Sequence, residues 1–206
     1  ALLAEQCRVV LADSDVSAMQ RTWEQEDKTT VSSSNEGNRN FRVVQCNVTD
    51  PHQVQSLIQQ ADDFAWPAEQ GAPAAAAASL LVNCAGITRD NWISKMSLEE
   101  WDRVVDVNLK GTFLTCRYFL DQERILRLFS NPSPSSTSLA IVNIGSIVSE
   151  QGNVGQANYA ASKGGVVGLT RALAKEMASR RQKQDPRRPQ ASSSSSSSQP
   201  PPPSLL

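Results

Sequence analysis

A chain of 206 residues, 39% hydrophobic and 20% charged, is long enough to bury one domain-sized core. Its formal net charge is -1, with basic residues spread along the chain, so it carries no electrostatic footprint for nucleic acid or anionic lipid and points to a small-molecule substrate. No apolar run approaches the roughly 20 residues that span a bilayer.

The opening, Ala1-Leu2-Leu3-Ala4-Glu5, lacks the basic flank of a signal peptide and does not begin with Met, so the start reads as an internal cut. Four apolar runs follow with helical patterns between them: residues 8–12, 42–46, 80–84 and 139–144. Their continuous Val, Ile and Leu content suits strands buried on both faces, and the alternation with helices predicts an α/β doubly wound parallel sheet. Asp50 followed by Pro51 starts a helix with Val54, Leu57, Ile58, Ala61 and Phe64 on one face. Ser97 with Glu100 forms a capping box before a long helix expected to reach about Phe129. A third helix is expected over residues 157–178, with Val166, Leu169, Thr170, Leu173 and Met177 on its apolar side. Residues 29–40, 67–79 and 130–138 read as loops or insertions. The domain is expected over residues 1–180, and residues 181–206, with seven consecutive serines and then prolines, read as a disordered tail.

Cys7, Cys46, Cys84 and Cys116 lie more than thirty residues apart with no C-x-x-C pair, which favours a reduced intracellular chain. With His52 the only histidine, neither a zinc cluster nor a Ser-His-Asp triad can be built from the usual ligands and base. Trp23, Trp66, Trp92 and Trp101 read as packing residues, with Trp92 near the expected substrate mouth. Gly164, Gly165 and Gly168 read as positions of close helix packing.

Ligands of an open parallel sheet bind beyond the carboxyl ends of its strands. That edge holds Asp13, Asn47-Val48, Asn83-Cys84-Ala85-Gly86 and Gly145-Ser146. Tyr159 and Lys163, four residues apart, project from one face of a helix start. A free phenol holds its proton too tightly for acid-base work at neutrality, and a nearby ammonium favours the phenolate. Ser146, thirteen residues before Tyr159, is placed to hydrogen-bond a carbonyl oxygen as charge develops there.

Asn83-Cys84-Ala85-Gly86, Asn108 within Val107-Asn108-Leu109-Lys110-Gly111, Ser146 and Tyr159-x-x-x-Lys163 together resemble the short-chain dehydrogenase/reductase family. Cys84-Ala85-Gly86-Ile87-Thr88, residues 101–113 and Gly152-Asn153-Val154-Gly155-Gln156-Ala157-Asn158-Tyr159 resemble its 3-oxoacyl-acyl-carrier-protein reductases and their animal relatives, the estradiol 17-beta-dehydrogenase 8 group. The resemblance implies a Rossmann-like fold, incomplete at both ends, since the family's first strand, glycine turn, C-terminal strands and lid have no counterpart in this sequence.

It also implies roles. Tyr159 is the proton donor or acceptor, Lys163 also grips the nicotinamide ribose, Ser146 orients the substrate carbonyl, and Asn108 holds a helix distortion and a proton-relaying water. Asp13, Asn47, Val48, Asn83, Ala85 and Gly86, with Tyr159 and Lys163, would form the cofactor site, and Gln156, with Ser146, would border the substrate. A carboxylate at Asp13 accepts ribose hydroxyls and repels a 2'-phosphate, favouring NAD(H) over NADP(H). Asn47 stands where an aspartate is common, and its amide retains hydrogen-bonding capacity toward adenine. No metal is implied. The implied reaction is hydride transfer with a 3-oxoacyl thioester, free or carrier-bound, or a hydroxysteroid, in fatty acid synthesis. The implied setting is the mitochondrial matrix, with the cytoplasm as alternative, in a homo- or hetero-tetramer contacting through helices around Asn108 and Lys163. Two other readings stand beside it: a non-catalytic subunit partner of the same fold, motivated by the absent glycine turn, and a nucleotide-sugar epimerase.

Overall fold

The computed structural model describes residues 7–17, 19, 40–65, 77–130 and 139–184. Two compact units divide it, Ala1–Thr170 and Arg171–Leu206. The first holds every described strand and every expected site residue. In the second, the described residues continue the last helix, with Leu173 and Met177 less exposed than their neighbours.

Strand β1 (Val9–Asp13) pairs in parallel with β2 (Phe41–Gln45), Val9 opposite Phe41 and Asp13 opposite Gln45. Helix α1 (Pro51–Ala65) follows. Asp50 starts it as its sequence predicts: Oδ1 accepts from the His52 and Gln53 amides at 2.8 and 3.2 Å. Val54, Leu57 and Ile58 are buried along it, and Val44, Cys46, Val54, Leu57 and Leu114 form the main core cluster, with Val10 and Tyr118 against it. Each fully buried aliphatic side chain stabilises the fold by about 1.5–3 kcal/mol. On α1's far end, the Arg42 and Arg8 guanidinium groups lie 4.9 and 5.6 Å from the Phe64 ring centre.

Strand β3 (Leu80–Asn83) pairs in parallel with β4 (Ala140–Asn143), residue for residue from Leu80 opposite Ala140. Parallel strands in an α/β chain are thus found at all four expected places. The burial differs from expectation. Among the described residues the strands form two separate pairs rather than one sheet. In β3 and β4 exposure alternates: Leu80, Val82 and Val142 are 42–45% exposed, while Leu81, Asn83, Ile141 and Asn143 are half-buried. An unbroken apolar run reports suitability for burial, whereas burial itself depends on what packs against each face.

The long helix predicted from Ser97 is divided. Helix α2 (Leu98–Val105) opens with the expected capping box: the Glu100 amide donates to Ser97 Oγ at 3.1 Å, and the Ser97 amide to Glu100 Oε2 at 2.8 Å. A π-helical turn (Asp106–Lys110) interrupts it, and α3 (Gly111–Phe119) resumes. The helix then breaks at Leu120, and Asp121 starts α4 (Gln122–Ser130) by accepting from the Glu123 and Arg124 amides at 3.0 and 3.2 Å. Arg124, 3% exposed, ties this corner to α1: its guanidinium grips both Asp62 oxygens at 2.9 Å and donates to Phe119 O. Asp62 in turn accepts from the Ala78 amide at 3.0 Å, fixing the approach to β3. Short helix α5 (Val148–Gln151) and long α6 (Ala157–Gln184) complete the described elements. Helix α6 runs past the expected end at 178, and residues 185–206, the greater part of the expected tail, lie outside the described residues. So do Trp23, Trp66, residues 29–39 and most of the other two expected loops.

Both helix-starting carboxylates are held below their ordinary values: Asp50 chiefly by the Gln53 amide, and Glu100 chiefly by the Ser97 amide, helped by the Asn91 side chain. A lowered folded-state value means that the stabilisation is complete above the ordinary values of 3.8 and 4.5 and is lost as pH falls through the lowered ones. The thermal midpoint should therefore fall as pH drops below about 4, and fall less steeply in Asp50→Asn/Glu100→Gln; equal slopes in the two proteins would contradict this.

Candidate active site

The π-helical turn carries Asn108, which is fully buried. Its carboxamide accepts from the Ile87 amide at 2.8 Å and donates to Ile87 O at 3.0 Å and to Ser162 Oγ at 3.0 Å. Ser162, also fully buried, donates to Tyr159 O at 2.8 Å. One side chain therefore fastens the turn after β3 to the first turns of α6. The distortion that the resemblance places at Asn108 is present, and Thr112 Oγ1 bonds the Asn108 carbonyl at 2.7 Å.

Lys163 is 5% exposed, and its Nζ donates to Ile144 O at 2.7 Å, at the carboxyl end of β4. It lies 5.9 Å from the centre of the half-buried Tyr159 ring. A Cβ added at Gly86 would stand 3.4 Å from Asn108 Oδ1 and 3.7 Å from Lys163 Nζ, ordinary van der Waals contact, so the exposed Gly86 main chain and these two side chains together form one cradle. Ser146 is half-buried; its Oγ accepts from the Val148 amide at 3.2 Å, starting α5, and retains its own proton to donate. The structure thus gathers Gly86, Asn108, Tyr159 and Lys163, with Ser146 two residues beyond the carbonyl that holds Lys163.

The remaining expected residues fall into two groups. Asp13 is exposed; Oδ1 accepts from the Asp15 amide at 2.9 Å, and Oδ2 accepts no hydrogen bond among the described residues. Asn47 Oδ1 accepts from the Thr49 amide and hydroxyl at 3.0 and 2.9 Å, which leaves its amide hydrogens available. Val48 packs on α3, where a Cβ at Gly111 would come within 2.7 Å of Val48 Cγ2. Ala85 is exposed beside Gly86.

Asn83 and Gln156 have their side chains engaged elsewhere. Asn83 donates to Asn143 Oδ1 at 2.8 Å and accepts from Thr115 Oγ1 at 2.7 Å, while Asn143 donates to Thr170 Oγ1 at 2.9 Å. Its carboxamide locks β3 to β4 and α3, and its main-chain carbonyl accepts from the Ile144 amide at 3.1 Å, so Asn83 fastens the edge from beneath. Gln156 donates to Asp90 Oδ2 at 2.9 Å and accepts from Asn153 at 3.0 Å, tying the loop before α6 to the segment after β3. The same two segments meet where the Asn91 amide donates to Gly155 O at 2.8 Å; Gly155 has φ +76°, a conformation that favours glycine. Trp92 is a correction to its packing assignment: it is 64% exposed, beside Ile93 at 68%. Gly165 packs on Leu109 as expected of a close contact, whereas Gly164 and Gly168 face open space.

Ser162 and Asn143 were not singled out from the sequence. Ser162 precedes Lys163 in the same motif, but its role depends on Asn108, 54 residues away, and Asn143 shares the register position of Asn83, which is visible only once the strands are known to pair. Cys84 is exposed at the cradle's edge, while burial raises the Cys46 and Cys116 thiols. Among the described residues, no group of three or more His, Cys, Asp or Glu is placed to hold a metal.

The Val48 contact makes a prediction. Gly111→Ala must push the Asn47-Val48 loop off α3 and should cost about 1–3 kcal/mol in urea unfolding. Val48→Ala in the Gly111→Ala background should recover most of that loss, whereas strictly additive costs would show that the two do not meet.

Comparison with known proteins finds dehydrogenases and reductases. The chain is 50% identical over 99 residues to the (3R)-3-hydroxyacyl-CoA dehydrogenase of Rattus norvegicus, covering 48% of this chain and 35% of that protein. The Homo sapiens protein of the same name is also 50% identical over 99 residues, 34% of its length. A 3-oxoacyl-[acyl-carrier-protein] reductase FabG of Staphylococcus aureus is 40% identical over 139 residues, 67% of this chain and 48% of that protein. The matches thus cover about a third to a half of the length of these curated relatives. A model of the family described as short chain dehydrogenase matches residues 1–181, and the chain belongs to that family.

Proposed function

We propose that this protein transfers hydride between NAD(H) and a 3-oxoacyl or 3-hydroxyacyl thioester, with Tyr159 as acid-base. The observation that carries the reading is the junction of Lys163, Gly86 and Asn108 beside Tyr159: a buried ammonium against an exposed glycine turn on the carboxyl edge of parallel strands. The residues present fit a nicotinamide cofactor. The exposed Asp13 carboxylate offers an acceptor to ribose hydroxyls and disfavours a 2'-phosphate, and the Asn47 amide hydrogens, without a partner among the described residues, can meet a base.

Such a cofactor, when bound, supplies or accepts the hydride. The chain's own residues do the rest. The Tyr159 phenol gives a proton to the carbonyl oxygen in reduction and removes it from the alcohol in oxidation. The Lys163 ammonium, fixed by Ile144 O and 5.9 Å from the centre of the Tyr159 ring, can bind ribose hydroxyls. Ser146 donates its hydroxyl proton to the same substrate oxygen, stabilising charge that grows there. Asn108 keeps the cradle and α6 in register. Val48 and Ala85 line the cofactor edge, and Asn83 supports it from beneath by joining β3 to β4. Gln156 shapes the substrate mouth by holding its loop to Asp90.

The names of the relatives favour acyl thioesters over steroids, and with them a place in fatty acid metabolism. By the family resemblance we assign the mitochondrial matrix and a tetramer, and a catalytic domain over residues 1–180. The direct test is reduction of acetoacetyl-CoA by NADH. Tyr159→Phe should lower kcat by about 10²–10⁴-fold while cofactor affinity changes little; undiminished turnover would overturn the assignment, as would sugar-nucleotide turnover without net NADH consumption.

A further inference from the structure

Asn158, the residue before Tyr159, is fully buried. Its carboxamide makes three hydrogen bonds, each to main chain of a different residue. Oδ1 accepts from the Tyr159 amide at 2.7 Å, and Nδ2 donates to Arg89 O at 2.9 Å and to Glu100 O at 3.2 Å. Three segments therefore meet on one side chain: the stretch after the glycine cradle, the first turn of α2, and the first turn of α6.

The opening of α6 explains why a side chain is needed there. The first N–H groups of a helix have no partner within it. The α6 ladder begins with the Ala160 amide bonding Gln156 O at 2.8 Å. Tyr159, one residue earlier, is the third residue of α6 and has no helical carbonyl to reach, and Gly155 O, four residues back, bonds the Asn91 amide at 2.8 Å. Asn158 Oδ1 takes its place. The Tyr159 backbone is thus fixed by a contact that also grips Arg89 and Glu100, while Ser162 holds the Tyr159 carbonyl from the other side through Asn108. Both peptide groups of Tyr159 are pinned by buried polar side chains, and these reach the segment after β3, Asn158 directly at Arg89 and Ser162 by way of Asn108.

We propose that Asn158 is a positioning residue for the proposed acid-base: it sets the seat of Tyr159 against the Lys163 ammonium and the Gly86 cradle. It touches neither substrate nor cofactor in this account, and it acts through the backbone of Tyr159. The inference rests on the acid-base role of Tyr159. It predicts a loss chiefly in turnover, because Asp13, Asn47 and Val48, assigned to the cofactor, lie at the ends of β1 and β2, away from the three Asn158 contacts.

The test compares Asn158→Ala with the unchanged protein in NADH-dependent reduction of acetoacetyl-CoA, with rates normalised to cofactor-binding sites counted by NADH titration. Misplacing a reacting group by about 1 Å costs on the order of 10²-fold, so kcat per binding site should fall about 10–100-fold with KM for NADH within about twofold. If Asn158→Ala does not fold, Asn158→Ser, whose hydroxyl can cap the Tyr159 amide but cannot span to both carbonyls, should show a smaller loss of the same kind. A purely structural residue would lower the number of binding sites and the thermal midpoint but leave kcat per site unchanged, and that result overturns the proposal. Tyr159→Phe is the control: if it is inactive while the Asn158 variant turns over normally, this inference alone fails, and if it is fully active the proposed function fails first.

Discussion

The site depends on one buried carboxamide. Asn108 meets both the N–H and the C=O of Ile87 and extends to Ser162, so its two amide hydrogens and its oxygen are all used. A buried amide that loses such a partner costs about 1–3 kcal/mol per orphaned group. This makes the contact close to all-or-none: the turn after β3 and the start of α6 are either joined through Asn108 or separated with several polar groups unsatisfied. The π-helical turn is the backbone's accommodation of that demand, since it brings Asn108 inward between α2 and α3.

From that joint the geometry spreads outward. Ser162 carries it to Tyr159, and the neighbouring Lys163 is steadied by Ile144 at the end of β4. The Asn83 and Asn143 pair locks β3 and β4 in register beneath the edge, and Thr115 and Thr170 bind that pair to α3 and α6. The apolar core formed by Val44, Val54, Leu57 and Leu114 lies elsewhere, under β2 and α1. Hydrophobic burial supplies the adhesion of that half, whereas directional polar contacts determine where the reacting groups stand. Polar networks of this kind are costly when partly satisfied and specific when complete.

The sequence showed most clearly what local chemistry decides. Asp50-Pro51 and Ser97-x-x-Glu100 announced two helix starts because their caps lie within three residues. Tyr159 and Lys163 declared a shared face by helical spacing, and the apolar runs marked the strands to within a residue or two. Less was legible where distant residues decide. The exposed faces of β3 and β4 depend on their coverage, which continuous Val and Leu cannot report. The break at Leu120 comes without Gly or Pro; Asp121, with Glu123 and Arg124 behind it, was the available signal. Asn108 bonds residues 21 and 54 positions away, so its partners were invisible even though the family motif marked it. For Gln156 and Asn83 the sequence suggested a place at the ligand edge but not that their side chains are engaged with Asp90 and Asn153, and with Asn143 and Thr115.

Removing the Asn108 joint tests this account most directly, with single-turnover hydride transfer and hydrogen exchange at the Ile87 amide measured on the same Asn108→Ala sample. The account predicts that Ile87 loses its protection and that the transfer rate falls by about 10²-fold together. A rate equal to that of the unchanged protein, with the Ile87 amide exposed, would show that the cradle and the Tyr159 helix need no such fastening.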